Sequence, residues 1–267
     1  MDWYQYVDTS RVLVFSLVLT RVSGIVMGAP VFGGADIPMQ IRALLAFTLA
    51  ILMLPAQWTV QIAEPEHLVD YALLVVSELI IGIAIGLAFS IFFTGIAIAG
   101  EVIGQIGGLT ASQIFDPISG DQSPLLARAM NYLAVTVFAC IGGLRVVLAS
   151  LLDTFETLPL GSGAMTDSIA IMFLKLLSLS FSLSIRIAAP VIVSVLISLL
   201  VIGLLGKTLP QLNLMSIGFG INSMVMFSVL MLSVGAGIWC FQDRIADCFC
   251  IIFEGIHCPI DIDYLMN

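Results

Sequence analysis

Five charged side chains, Arg21, Glu78, Arg145, Lys175 and Arg186, lie inside long apolar stretches, and a sixth, Glu101, sits at the edge of one. Such groups can pair internally or bind a charged solute. Each costs about 2.5–3.5 kcal/mol at the centre of a lipid-facing helix, and five together would oppose insertion by on the order of 10 kcal/mol. They are therefore expected as buried charges facing protein or water, with ion pairing or snorkelling as the plainer alternative. Other chemistry is missing. The chain has no GxSxG, HExxH or P-loop pattern, so nothing proposes a nucleophile–base set or a catalytic metal. His67 follows Glu64-Pro65-Glu66 in an acidic connection, and His257 lies near the end. The five cysteines (Cys140, Cys240, Cys248, Cys250, Cys258) form no CxxC pair and read as small apolar packers. No enzymatic activity, cofactor or metal is expected.

Two further stretches stand out. Residues 101–124 are rich in glycine (Gly104, Gly107, Gly108, Gly120) yet keep Leu109, Ile114, Phe115 and Ile118, followed or flanked by the turn-forming Asp116-Pro117. A purely solvated linker would not keep those apolar groups. The composition suits non-helical backbone held inside protein or along water, the alternative being an ordinary surface loop. The second stretch runs from Arg186-Ile-Ala-Ala-Pro190 through Gly203-Leu-Leu-Gly-Lys207 to Pro210-Gln-Leu-Asn213. It reads as a helical hairpin with a Gly/Pro/Asn turn carrying one lysine. Small residues along its arms permit close helix packing.

These groups need elements to carry them, and the composition says which. Of 267 residues 60% are apolar and only 10% charged, against roughly a quarter charged in soluble domains. The mean hydropathy is +1.14. Apolar runs fall at about 12–32, 41–62, 68–100, 125–152, 169–205 and 214–241. Backbone in lipid must bond itself, and these runs far exceed the ten or so residues of a barrel strand, so each is expected to be a helix. The fold class is thus an all-α membrane protein with about six long hydrophobic helices in hairpins. Two runs, 68–100 and 169–205, exceed a simple span, and Pro190 favours a kink in the second. Trp3, Tyr4, Tyr6, Trp58, Tyr71, Tyr132 and Trp239 lie near run ends, as an aromatic belt would place them. Arg42, Arg128 and Lys207 mark the odd connections as cytoplasmic and both termini as outside, although Arg11 and Arg244 oppose that orientation. The N-terminus lacks the basic region and cleavage site of a secretory signal. The net charge of −9 and the lack of any Lys/Arg cluster argue against nucleic acid as a partner.

The order of short motifs resembles a known family. Arg21-Val-Ser-Gly24, Ala29-Pro30-Val-Phe-Gly33, Ile37-Pro38 and Ile41-Arg42 open the series. Gly100-Glu101-Val-Ile-Gly104-Gln105, Gly108-Leu109, Asp116-Pro117, Thr154-Phe155 and Leu158-Pro159-Leu-Gly161 continue it. Ala189-Pro190, Gly203-Leu-Leu205 and Leu209-Pro210-Gln-Leu-Asn213 close it. Over residues 10–240 this resembles the FliR family, the R subunit of the flagellar type III export gate, whose injectisome counterpart is the T subunit. The resemblance implies a hetero-oligomeric helical assembly in the bacterial inner membrane, at the flagellar basal body. There the P and Q subunits (FliP, FliQ) and the switch protein (FlhB) are partners, and unfolded export substrates pass. It implies a P-like part over 1–165, a Q-like hairpin over 166–245 and a tail over 246–267. The segment 104–123 matches the family's plug loop, with Gly104, Gln105, Gly107, Gly108, Leu109, Phe115, Asp116 and Pro117 in it. The turn with Lys207, Pro210, Gln211 and Asn213 matches the cytoplasmic tip. The acidic, cysteine-bearing end from Asp243 has no counterpart in the pattern. The competing reading is a secondary transporter or small-solute channel, with Arg186 or Glu78 binding substrate near a broken helix.

Overall fold

Amides without water to bond must bond one another, and the apolar runs do so as helices. The structure, a computed structural model, describes residues 9–29, 32, 37–57, 65, 67–109, 125–161, 167–208 and 214–255. Among these residues there is no strand. The elements are α1 (Thr9–Gly28), α2 (Met39–Met53) with a 3-10 turn over Leu54–Gln57, α3 (Leu68–Ile106), α4 (Leu125–Cys140), α5 (Gly143–Thr157), α6 (Asp167–Thr208) and α7 (Leu214–Gly255). Among the described residues five helices are long and apolar enough to cross a membrane, or six when the bent α4–α5 pair counts as one crossing. The chain is an all-α, membrane-integral protein.

The runs and the helices differ in two places. The fourth run is not one helix: α4 and α5 meet at 73°. Gly142 sits at the corner with φ +85°, a left-handed conformation that side-chain-bearing residues adopt only with strain. Beside it, Gly143 lies against the Phe138 ring with no room for a Cβ. Apolar character continues through the corner, so periodicity carries no sign of it. The last helix does not stop near Phe241 but continues to Gly255, so residues 246–255, set apart above as tail, are helix. Phe249, Ile252 and Phe253 there are buried. The fifth run keeps its place, with α6 continuing through Pro190 as one helix of 42 residues.

The chain divides into two units, and the long helices contribute to both. The first holds the described residues up to Ile91, Phe138–Leu176 and those from Cys248 onward. In it α1 and α3 run parallel with their backbones touching. A Cβ on Gly24 would lie 2.8 Å from the Ile83 nitrogen, and one on Gly28 would lie 2.7 Å from Gly86 Cα. These two four-residue glycine spacings mesh as small-xxx-small contacts do in membrane helices. Phe249 packs with Phe89 (centroids 5.7 Å apart), Phe138 (6.3 Å) and Phe253 (6.4 Å).

The second unit holds Phe92–Val137 and Leu177–Asp247. Gly100 of α3 abuts Leu126 and Ala127 of α4, and Gly95 abuts the Ser180 backbone of α6. Phe92 stacks on Phe241 of α7 with centroids 5.4 Å apart. Ile103, Met130, Leu183, Val191 and Met226 complete its buried centre.

Candidate functional site

In the first unit the glycine contact between α1 and α3 places Arg21, one turn before Gly24, against Glu78, one turn before Gly82. Arg21 Nε donates to Glu78 Oε2 at 2.6 Å, and both side chains are 0% exposed. The guanidinium does more than balance charge. Its Nη1 donates to the carbonyls of Thr154 (3.0 Å) and Leu158 (2.8 Å) at the C-terminal end of α5, the first also accepting the Leu158 N–H at 3.0 Å and the second lying just past the helix. Its Cζ lies 4.6 Å from the centroid of the Phe155 ring, a cation–π contact. Glu78 uses its second oxygen to accept the Gly161 N–H at 2.9 Å. One ion pair thus joins α1, α3, the end of α5 and the turn Leu158-Pro159-Leu160-Gly161. Nearby, Tyr71 donates to Ser16 Oγ at 2.9 Å, a second polar tie between α1 and α3.

The other charges are placed differently. Glu101 is half-buried and accepts from Gln105 Nε2 at 3.2 Å. Arg145, Lys175 and Arg186, expected above among the buried charges, are exposed on the surface of this chain. Lys175 pairs with Glu254 of α7 at 2.7 Å within the first unit. For Lys175 and Arg186 the reason lies in α6, whose apolar run is not enclosed by the chain's own helices, so membership of such a run does not imply burial. His67 is exposed just before α3, its carbonyl accepting the Asp70 N–H at 3.1 Å.

In the second unit the glycine-rich segment starts as a defined corner. Leu109 N–H bonds the Gly104 carbonyl at 3.0 Å and Gly108 N–H bonds the Gln105 carbonyl at 3.2 Å. Gly108 has φ +83°. This is a Schellman cap, which needs a left-handed residue at the position Gly108 fills. One face of α7, carrying Phe219, Asn222 and Met226, holds the corner. A Cβ on Gly108 would come within 2.9 Å of the Phe219 ring, and Gly107 has no room for one beside Met226. Asn222 Nδ2 donates to the Ile106 carbonyl at 3.3 Å. Phe115, Asp116 and Pro117 lie outside the described residues, as do Pro210, Gln211 and Asn213 of the hairpin turn. Lys207 is exposed in the last turn of α6, where a cation suits the helix dipole.

Sequence reasoning missed Asn222, although a lone amide in an apolar run was a visible signal. It also gave Leu158–Gly161 no structural role, because nothing local shows that a distant carboxylate will accept the Gly161 N–H.

This geometry sits on a recognisable chain. Residues 12–248 match the family described as bacterial export proteins, family 1. The flagellar biosynthetic protein FliR of Escherichia coli (strain K12) is 31% identical over 213 residues, which are 79% of this chain and 80% of that one. The chain belongs to the FliR family. FliR of Caulobacter vibrioides is 27% identical over 234 residues, 88% of this chain and 93% of its own. FliR of Aquifex aeolicus is 28% identical over 228 residues, covering 85% and 88%. The FliR-family match takes in the buried Arg21–Glu78 node, the Gly104–Leu109 corner and most of the α6–α7 hairpin.

Proposed function

We propose that this chain is a structural and gating subunit of the flagellar type III protein-export channel, set in the bacterial inner membrane at the flagellar basal body. Its partners are the P and Q subunits (FliP, FliQ) and the switch protein FlhB, and unfolded export substrates pass the assembly. The observation that carries the reading, beside family membership, is the length of apolar surface on α6. Exposed apolar side chains run from Ile171, Leu174, Phe181 and Ile185 to Leu196, Leu200 and Leu205. At about 1.5 Å per residue that is some 50 Å, against roughly 30 Å of hydrocarbon. Tilts of up to about 40° absorb only part of the excess. The remainder needs cover from other protein subunits. The Gly104–Leu109 corner would then aim the following segment into the channel as its plug, and Lys207 would mark the tip facing the switch protein. A lone transporter using Glu78 as its substrate ligand fits less well, since that carboxylate is committed to Arg21 and Gly161.

The test is purification of the tagged chain in mild detergent with native mass spectrometry. A stoichiometric complex with P-like and Q-like membrane proteins is expected. A chain that runs alone or only with itself overturns the assembly reading.

A further inference from the structure

Arg186 lies on the exposed face of α6, and among the described residues no ion pair or hydrogen bond engages it. An unpaired guanidinium among lipid tails is costly, whereas one at the edge of the hydrocarbon reaches the headgroups. The spacing of charge along α6 fits such an edge. Residues 187–206 carry no charged side chain, and Lys207 follows them, exposed, in the last turn. Between the two cations lie about 31 Å of helix at ~1.5 Å per residue, against roughly 30 Å of hydrocarbon. The neighbouring helix repeats the pattern. From Leu214 to Trp239 α7 has no charged residue, and Asp243, Arg244 and Asp247 follow. The two helices run antiparallel: a Cβ on Gly218 would lie 3.1 Å from Ile202, and one on Gly237 would lie 3.9 Å from Ile187. Arg186 therefore stands level with Trp239 to within one residue's rise of about 1.5 Å. Trp239 is 70% exposed. A bare indole on an apolar protein surface suits the membrane–water interface, where the ring meets apolar groups and the N–H meets water.

We propose that residues 187–206 are the lipid-crossing part of α6, and that Arg186 and Trp239 hold a phospholipid headgroup at one edge of it. The Arg186 guanidinium donates to the phosphate, its planar fork matching two of the oxygens. The Trp239 indole lies at the same headgroup level, and Lys207 marks the opposite leaflet. Asp243 and Asp247 do not neutralise Arg186, because Arg244 engages them at 3.8 and 2.9 Å. Exposed apolar residues on the far side of Arg186, such as Leu174 and Leu177, then stand beyond the hydrocarbon and are covered by other subunits, a clause that rests on the assembly proposed above. A carboxylate from a neighbouring subunit fits less well. It would answer the cation, but neither the exposed indole nor the match to bilayer thickness.

The experiment places a benzophenone amino acid at Leu177, Leu196 or Trp239 of the full chain, in a cell with its complete export apparatus. Leu196 lies ~15 Å along α6 from Arg186, at the middle of the proposed crossing. Membranes are illuminated, the complex is purified, and its native mass and adducts are read by mass spectrometry. Phospholipid adducts are expected at Leu196 and Trp239, and protein adducts at Leu177. Adding Arg186→Gln is expected to lower the lipid yield at Trp239 about two- to fivefold, the weight of an exposed ion pair, and Arg186→Lys to keep most of it. Protein adducts at Leu196, or phospholipid adducts at Leu177 in a complex of full native mass, overturn the placement of the crossing. An unchanged lipid yield at Trp239 in Arg186→Gln overturns the headgroup contact. Loss of other subunits from that variant's complex also overturns it, and assigns Arg186 a carboxylate on one of them. A parent chain that carries no other subunits withdraws the assembly reading, while phospholipid at Leu196 and Trp239 would still support the crossing.

Discussion

At the scale of single residues the most consequential contact is Arg21 with Glu78. Two charges with no exposure at 2.6 Å do not by themselves argue for stability, because desolvation offsets much of their attraction. Removing one partner is a different matter, since the other charge stays buried. Glu78→Gln is expected to lower the stability of the detergent-purified chain by about 3–5 kcal/mol, seen as a reduced unfolding temperature and poorer accumulation. The double change Arg21→Met with Glu78→Leu should recover part of that loss. It cannot recover all, because the Thr154 and Leu158 carbonyls then lose the Nη1 donor. Equal damage from the single and double changes would mean that the pair is not coupled.

Glycines control the elements, and their effects separate by what surrounds each one. At Gly82 a methyl group would collide with the Arg21 carbonyl oxygen. Gly82→Ala should thus force α1 from α3 and destabilise by about 1–3 kcal/mol, as overpacking does. Gly235 in α7 has nothing within 4 Å, and Gly235→Ala in a helix interior should stabilise the isolated chain by up to about 1 kcal/mol. Thermal unfolding of the two variants side by side checks the contrast. Gly142 is a third case: nothing crowds it, but its φ of +85° is strained for other residues. Gly142→Ala should cost about 1–2 kcal/mol, and Gly142→Asn less, since asparagine tolerates that region better. A Gly142→Val variant as stable as the parent would show that α4 and α5 do not need this corner.

For the whole molecule, the last turns of α7 count as core rather than appendage. Phe249 is 2% exposed and meets Phe89, Phe138 and Phe253. Phe249→Ala should remove about 3–5 kcal/mol and sharply reduce the amount of folded chain recovered from membranes. Normal recovery would show that the first unit holds without it. The α6 surface behaves oppositely: a residue such as Leu174 is exposed in the chain, so truncating it should matter little to the isolated chain and more to the assembly.

The sequence determined a good deal by itself. Apolar runs longer than a bilayer crossing can satisfy their backbones only as helices, so the all-α fold and five of the six run positions were legible from hydropathy. Family membership was legible because short motifs such as Leu158-Pro159-Leu-Gly161 keep their order along the chain. Only the tertiary structure decided which embedded charges are buried. Arg21 and Arg186 look alike in sequence, each a cation inside an apolar run. One meets a carboxylate across a glycine contact and the other faces outward, and that difference depends on residues more than fifty positions away. The helical continuation through Phe249–Phe253 and the hold of Asn222 on Ile106 belong to the same class. Each rests on a contact between distant segments, which local composition and periodicity do not encode.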